Sequence, residues 1–206
     1  MRNYDRIARF YDGLSRIVFG RTLKNAQLYL LNAIPRNSSI LIAGGGTGWI
    51  LEEITRLHPS GLTITCLDIS AKMIALSEKR EIGNNKVTFI TADACQVKLD
   101  GMFDVVLTSF LIDNLSEDNM EKVCTTFDAH LVKGGKWLYC DFCDTGKLRH
   151  KVLLMAMYTF FRLFAGIEAT DLPGIDAWFS VHCFNITGQK TFMSGFVRAV
   201  IYEKRT

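Results

Sequence analysis

Proline is scarce, three in 206 residues, and neither sign of charge dominates. With 49% apolar and 22% charged residues, these shortages exclude a disordered, collagen-like or linker-dominated chain, and one hydrophobic core can serve this length. Lys and Arg total 24 against 21 Asp and Glu, a formal charge of +3 with the signs interspersed, so the concentrated basic face of a nucleic-acid binder is missing. A long hydrophobic run is missing too. The longest, Val152 to Ile167, is shorter than the ~20 residues of a membrane span and contains Arg162, so no stable membrane insertion is expected. The opening MRNYDRIARFYD has no apolar stretch of signal-peptide length, which favours a cytoplasmic location. Cysteine is present six times, but only Cys140 and Cys143 form a CxxC. Without a second such pair the four ligands of a structural zinc are lacking, so neither a metal nor a disulfide framework is expected.

What is present is an alternation. Ile7, Phe10, Tyr11, Leu14, Ile17 and Val18 follow helical spacing, and a second helical stretch runs from Thr22 to Ala33. Ser39 to Ala43 is a short β-prone run that meets Gly44-Gly45-Gly46-Thr47-Gly48, after which Trp49, Ile50, Glu53, Ile54 and Leu57 resume helical spacing. The pattern repeats: a strand from Leu62 to Leu67, Ser70 as N-cap, a helix from Ala71 to Arg80, a strand from Lys86 to Thr91 and another from Phe103 to Thr108. Ser116 caps a helix expected through Leu131 and stopped by Gly134-Gly135, and a fifth strand covers Lys136 to Cys140. Short apolar strands alternating with helices predict an α/β fold whose parallel sheet is covered on both faces. A mostly apolar helix over 147–165 follows, then two β-rich runs, Trp178 to Ile186 and Thr191 to Tyr202, read as a closing antiparallel hairpin around Thr187-Gly188-Gln189-Lys190. No linker divides the chain, so residues 1–206 form one domain: a helical cap over 1–35 and a core over 36–206.

In such a sheet ligands lie beyond the carboxyl ends of the strands. Glycines at 44, 46 and 48 let a ligand approach the backbone where the next helix presents unpaired N–H groups. Asp68, twenty residues after Gly48 at the end of the next strand, can accept hydrogen bonds from both hydroxyls of a ribose. Asp93, beyond the third strand, can accept from an adenine amino group. The spacing is GxGxG; the third small residue of a dinucleotide-binding GxGxxG falls at Trp49, which disfavours a nicotinamide enzyme.

The segments Ile40-Leu41-Ile42-Ala43-Gly44-Gly45-Gly46-Thr47-Gly48, Leu67-Asp68-Ile69-Ser70-Ala71-Lys72-Met73, Phe103-Asp104-Val105-Val106 and Leu131-Val132-Lys133-Gly134-Gly135 resemble, in order, motifs of the class I S-adenosylmethionine-dependent methyltransferases. The opening Tyr4 to Asp12 is similar to that of the ubiquinone and menaquinone biosynthesis methyltransferases. The resemblance implies a Rossmann-like, mainly parallel seven-stranded sheet with helices on both faces and S-adenosylmethionine as cofactor. It places the methionine part on Ala43, Gly44, Gly45, Gly46 and Gly48, the ribose on Asp68, and the adenine between Ile69 and Met73 with Asp93 and Ala94 at its edge. Ser109 and Phe110 would border the sulfonium, and Tyr11 would close the site. Ile42 departs from the family, which usually has an acid two positions before the first glycine.

Methyl transfer from a sulfonium is an in-line displacement that needs alignment more than side-chain chemistry. For a hydroxyl or acidic-carbon acceptor a base must take a proton; Asp113 is the best-placed catalytic candidate and His150 the second. Leu153, Leu154, Met157, Phe160, Phe161 and Phe164 form a broad apolar stripe, widened by Met155 and Tyr158. It reads as core, as a homodimer interface, or as the pocket of a small hydrophobic or aromatic acceptor. Two alternatives stand beside the methyltransferase: a non-catalytic module that binds an S-adenosyl ligand, which Ile42 favours, and an aminopropyltransferase-like enzyme. GGGTG resembles the latter, but the paired aspartates expected after its fourth strand are reduced to Asp113.

Overall fold

Four consecutive aliphatic residues after Ser39 make up the rest of the central strand β1 (Ser39–Ala43), and a parallel partner on each side closes its hydrogen bonds. The computed structural model describes residues 18–166, 169 and 171–205. Tyr11 and all but the last residue of the expected first helix lie outside the described residues.

After α1 (Thr22–Leu31) and β1, the chain alternates through α2 (Trp49–Leu57), β2 (Ser60–Asp68), α3 (Ala71–Ser77), β3 (Asn84–Thr91), β4 (Phe103–Ser109), a 3-10 turn at Ile112–Asn114, α4 (Glu117–Ala129) and β5 (Leu131–Phe142). Helices α5 (Leu148–Ala165) and α6 (Ile175–Val181) then precede β6 (Phe184–Phe192) and β7 (Val197–Lys204). The seven strands run in the order β3-β2-β1-β4-β5-β7-β6, parallel except for the β6–β7 hairpin, whose β7 is antiparallel to β5. Strand order reverses between β1 and β4, so their carboxyl ends open the crevice where α/β sheets take ligands.

Side chains alternate across the sheet and build a core on each face. Leu41, Ala43, Val106, Trp137 and Tyr139 face one, whose middle is an aromatic cluster of Trp137, Trp178, Phe179 and Phe184. Ile40, Ile42, Val105, Leu107, Leu138 and Cys140 face the other, which α1 covers through Ala26, Leu30 and Leu31.

The structure corrects four expectations. α4 ends at Ala129, and Gly134-Gly135 interrupt β5 instead of stopping a helix. Leu131 pairs with Phe103, the register shifts, and pairing resumes at Lys136 with Val105; the two glycines supply this irregularity, with Gly134 at φ +72°. Ser116 makes no capping bond; the first turn of α4 is instead tied down where the Glu117 carboxylate accepts the Gly174 amide. Trp178 lies in α6, not in a strand: Ile175, Trp178 and Phe179 are buried at spacings of three and four, a helical signature that the β-prone composition masked. Finally, β6 continues through Thr187–Lys190, with a register shift between Ile186 and Gly188, and the hairpin turns at Met193–Gly195, where three consecutive residues have positive φ. β6 is an edge strand, mostly exposed, so no alternation of apolar residues marked its course.

Candidate functional site

Each glycine of the loop after β1 solves a different local problem. The amides of Gly44 and Gly45 donate to the carbonyl of Leu67, holding the loop on the end of β2. A Cβ on Gly45 would stand 2.5 Å from Cys66 Sγ, and one on Gly48 would stand 2.7 Å from Ser77 Cα, so these two allow close packing against β2 and α3. Gly46, at φ +56°, has nothing within 4 Å of where a Cβ would be: its open side is the crevice. Arg80 braces the loop from behind, donating from Nε to the Thr47 carbonyl at 2.8 Å and pairing with Glu52 at 3.1 Å.

Asp68 ends β2 facing this loop. One carboxylate oxygen accepts the Gly46 amide at 2.9 Å and the other the Ser70 amide at 2.9 Å, which fixes the side chain. Ser70 caps α3 by accepting the Met73 amide, as its sequence position predicts. Asp93 follows β3 and accepts the Cys95 amide at 2.9 Å. Across the crevice, at the end of β4, Ser109 Oγ is buried with no hydrogen-bond partner among the described residues. Phe110 adopts φ +54°, an uncommon conformation for a large side chain, and its ring packs on Phe142 at 5.1 Å between centroids.

These groups line one cavity of about 640 Å³. Its wall includes Gly44, Gly45, Gly46, Asp68, Ile69, Met73, Asp93, Ala94, Ser109, Phe110 and Asp113. Ala43 lies buried within β1 and Gly48 packs against Ser77 of α3, so neither is part of the wall. Beyond the sheet end the cavity continues between the start of α1 (Phe19, Arg21, Leu23, Lys24) and α5 (Leu153, Met157, Phe160, Phe161). Part of the apolar stripe therefore faces a chamber instead of the core. Trp49 also lines it, with the Lys24 ammonium 4.7 Å from its ring centroid.

Asp113 sits in the 3-10 turn after β4, 5% exposed, and contacts a partner that sequence reasoning missed. Asp141, 1% exposed in β5, accepts the Asp113 amide at 3.2 Å and the Phe142 amide at 3.0 Å, and the two carboxyl groups share a hydrogen bond. The Asn114 amide donates to Asp113 at 2.6 Å, and the Tyr158 hydroxyl, from α5, donates to the Asp113 carbonyl at 3.3 Å. Burial pushes the Asp113 carboxyl up to about 7, and burial followed by the charge of Asp113 raises Asp141 further. Two acids this close in a dry site hold a proton into the neutral range. The neighbouring Tyr139, Cys140, Cys143 and Tyr158 are all raised by burial, so each stays neutral beside the pair. A signal for Asp141 existed: it is the lone acid in a strand whose every other residue from Trp137 on is apolar. His150 is away from the cavity, buried against the Phe196 ring at 4.6 Å with Nδ1 2.6 Å from Thr145 Oγ1. It has no route to an acceptor in the chamber.

A protein-family model described as a methyltransferase domain matches residues 40–135. The chain is 35% identical over 120 residues to a demethylmenaquinone methyltransferase of Thermotoga maritima, covering 57% of this chain and 51% of that protein. It is 31% identical over 103 residues to a malonyl-[acyl-carrier protein] O-methyltransferase of Bacillus cereus, covering 50% of this chain and 37% of the relative. The chain thus spans about half or less of the length of these relatives. Among solved structures, the N-methyltransferase NodS of Bradyrhizobium japonicum, in complex with S-adenosyl-L-homocysteine, superposes with a TM-score of 0.65 at 12% identity over 88% of this chain and 85% of that one. The chain has the class I S-adenosylmethionine-dependent methyltransferase fold.

Proposed function

We propose that this chain transfers the methyl group of S-adenosylmethionine to a small hydrophobic or aromatic acceptor. The observation that carries the reading is the continuity of one cavity. It joins a glycine loop and a fixed carboxylate, the two features a nucleoside needs, to an apolar chamber within the same cavity.

The residues present fit the cofactor. Asp68 presents a fixed carboxylate on the cavity wall, the residue type that binds a ribose, the open side of Gly46 leaves room at the backbone, and Ile69, Met73, Asp93 and Ala94 offer an apolar slot with one acid at its edge. The unpartnered Ser109 hydroxyl and the Phe110 ring stand where the sheet end meets the chamber. When bound, S-adenosylmethionine supplies an already activated methyl group. The protein's task is then alignment, exclusion of water by Phe110, Phe142 and the α5 aromatics, and removal of a proton where the acceptor carries one. Asp113, on the cavity wall and poised near neutral pH, is the base for a hydroxyl or acidic carbon, and Asp141 holds it in place.

Calorimetry with S-adenosylhomocysteine, its decarboxylated sulfonium relative and NADH tests the reading. S-adenosylhomocysteine binds the wild type, and Asp68→Ala weakens it at least about a hundredfold, the loss of hydrogen bonds to a charged acceptor. Tight binding of NADH alone would overturn the assignment. One feature favours a second reading. Ile42, buried where the family usually has an acid, leaves the cofactor's ammonium without that partner, as a binding-only module could accept. S-adenosylhomocysteine binding without methyl transfer to any of a broad panel of hydrophobic hydroxyl and aromatic metabolites would select it.

A further inference from the structure

Helix α5 is apolar on two sides. One side, Leu153, Met157, Phe160 and Phe161, walls the chamber. On the opposite side Leu148, Val152, Met155 and Leu163 are 78, 58, 69 and 72% exposed, at spacings of four, three and eight that set them in one stripe. A stripe of this length, broken only by the exposed Thr159, is unfavourable in water, and it marks a surface that something covers. The flanks identify the chemistry of the cover. Lys151 and Arg162 border the stripe on one side and Arg149 on the other, all exposed, and residues 147–165 contain no Asp or Glu. A two-fold contact between copies of this chain would set these cations against each other.

We propose that this face of α5 lies on an anionic lipid surface, with the stripe at the boundary of headgroups and acyl chains and Arg149, Lys151 and Arg162 among the phosphates. Among the described residues no helix is long and apolar enough to cross a membrane, so α5 lies in the interface plane instead of spanning it. The chamber is one helix away from that surface. That α5 thereby admits a lipophilic acceptor rests on the function proposed above; the surface itself does not.

Co-sedimentation of the full chain with vesicles tests the surface. The protein partitions onto vesicles of equal parts phosphatidylcholine and phosphatidylglycerol, not onto phosphatidylcholine alone, and salt releases it. Lys151→Gln and Arg162→Gln each lower the partition coefficient about fivefold. The double variant Val152→Ser, Met155→Ser lowers it more than about tenfold. Because all four positions are exposed, melting temperature and S-adenosylhomocysteine affinity stay at wild-type values, which separates failure of the surface from failure of the catalytic reading. Absence of binding to anionic vesicles, or binding that all these variants retain, overturns the proposal. So does a wild-type dimer that the double variant dissolves, which would assign the stripe to a second copy.

Discussion

Asp113 and Asp141 place two carboxyl groups in contact where water scarcely reaches, and that local fact has a consequence for stability. An unfolded chain releases the Asp113 proton near 3.8, whereas the folded chain keeps it to about 7. Between these values the folded state binds the extra proton, so its stability is full below the lower value and falls as pH rises through the upper one. The slope is at most about 1.4 kcal/mol per pH unit. Asp113→Asn keeps a donor facing Asp141 and has no proton to lose. Urea unfolding across this window is therefore expected to show wild-type stability declining more steeply than that of the variant, whose remaining decline comes from the buried Asp141 carboxyl. A wild-type curve without that decline would show that the two acids do not share a proton. Asp113 was recognisable in sequence as an acid just beyond a strand end. Its pairing with Asp141 was not, because the two acids lie 28 residues apart and meet only in the folded chain.

At the scale of elements, the glycine loop works because α2 and α3 come close beneath it. Gly48 ends the loop at φ +74°, and Ser77 of α3 occupies the space any side chain there would need. Gly48→Ala combines left-handed strain of about 1–2 kcal/mol with a clash against backbone. A loss of about 2–4 kcal/mol in chemical unfolding is expected, with weaker S-adenosylhomocysteine binding as the loop shifts. Wild-type stability in this variant would mean that the helices separate freely. Spacing alone marked Gly48 as part of a phosphate- or carboxylate-binding loop; only the crossing of two helices shows its packing duty. The same holds for α6 and β6, whose misplacement from sequence arose because a buried helical triad was also β-prone and because an exposed edge strand needs no alternation.

For the molecule as a whole, the chamber is a product of assembly. Its walls come from α1, from the carboxyl ends of the parallel strands and from α5, segments more than a hundred residues apart in sequence. Phe160 is half-buried on its wall, its ring tilted against that of Phe164 at 4.8 Å between centroids. Phe160→Ser is expected to fold, to bind S-adenosylhomocysteine with near wild-type affinity by calorimetry, and to lose acceptor turnover by at least about tenfold. Unfolding of this variant would return the residue to the core.

The alternation of strands and helices, the glycine loop and the acid twenty residues beyond it were determined by the sequence alone, because each rests on local periodicity, backbone freedom or short spacing. The pairing of Asp113 with Asp141, the division of the α5 stripe between a chamber and an exposed face, and the course of the final hairpin were decided only by the tertiary structure. Burial, which shifts a carboxyl group and tells a wall from a surface, depends on which distant segments come to lie against each residue.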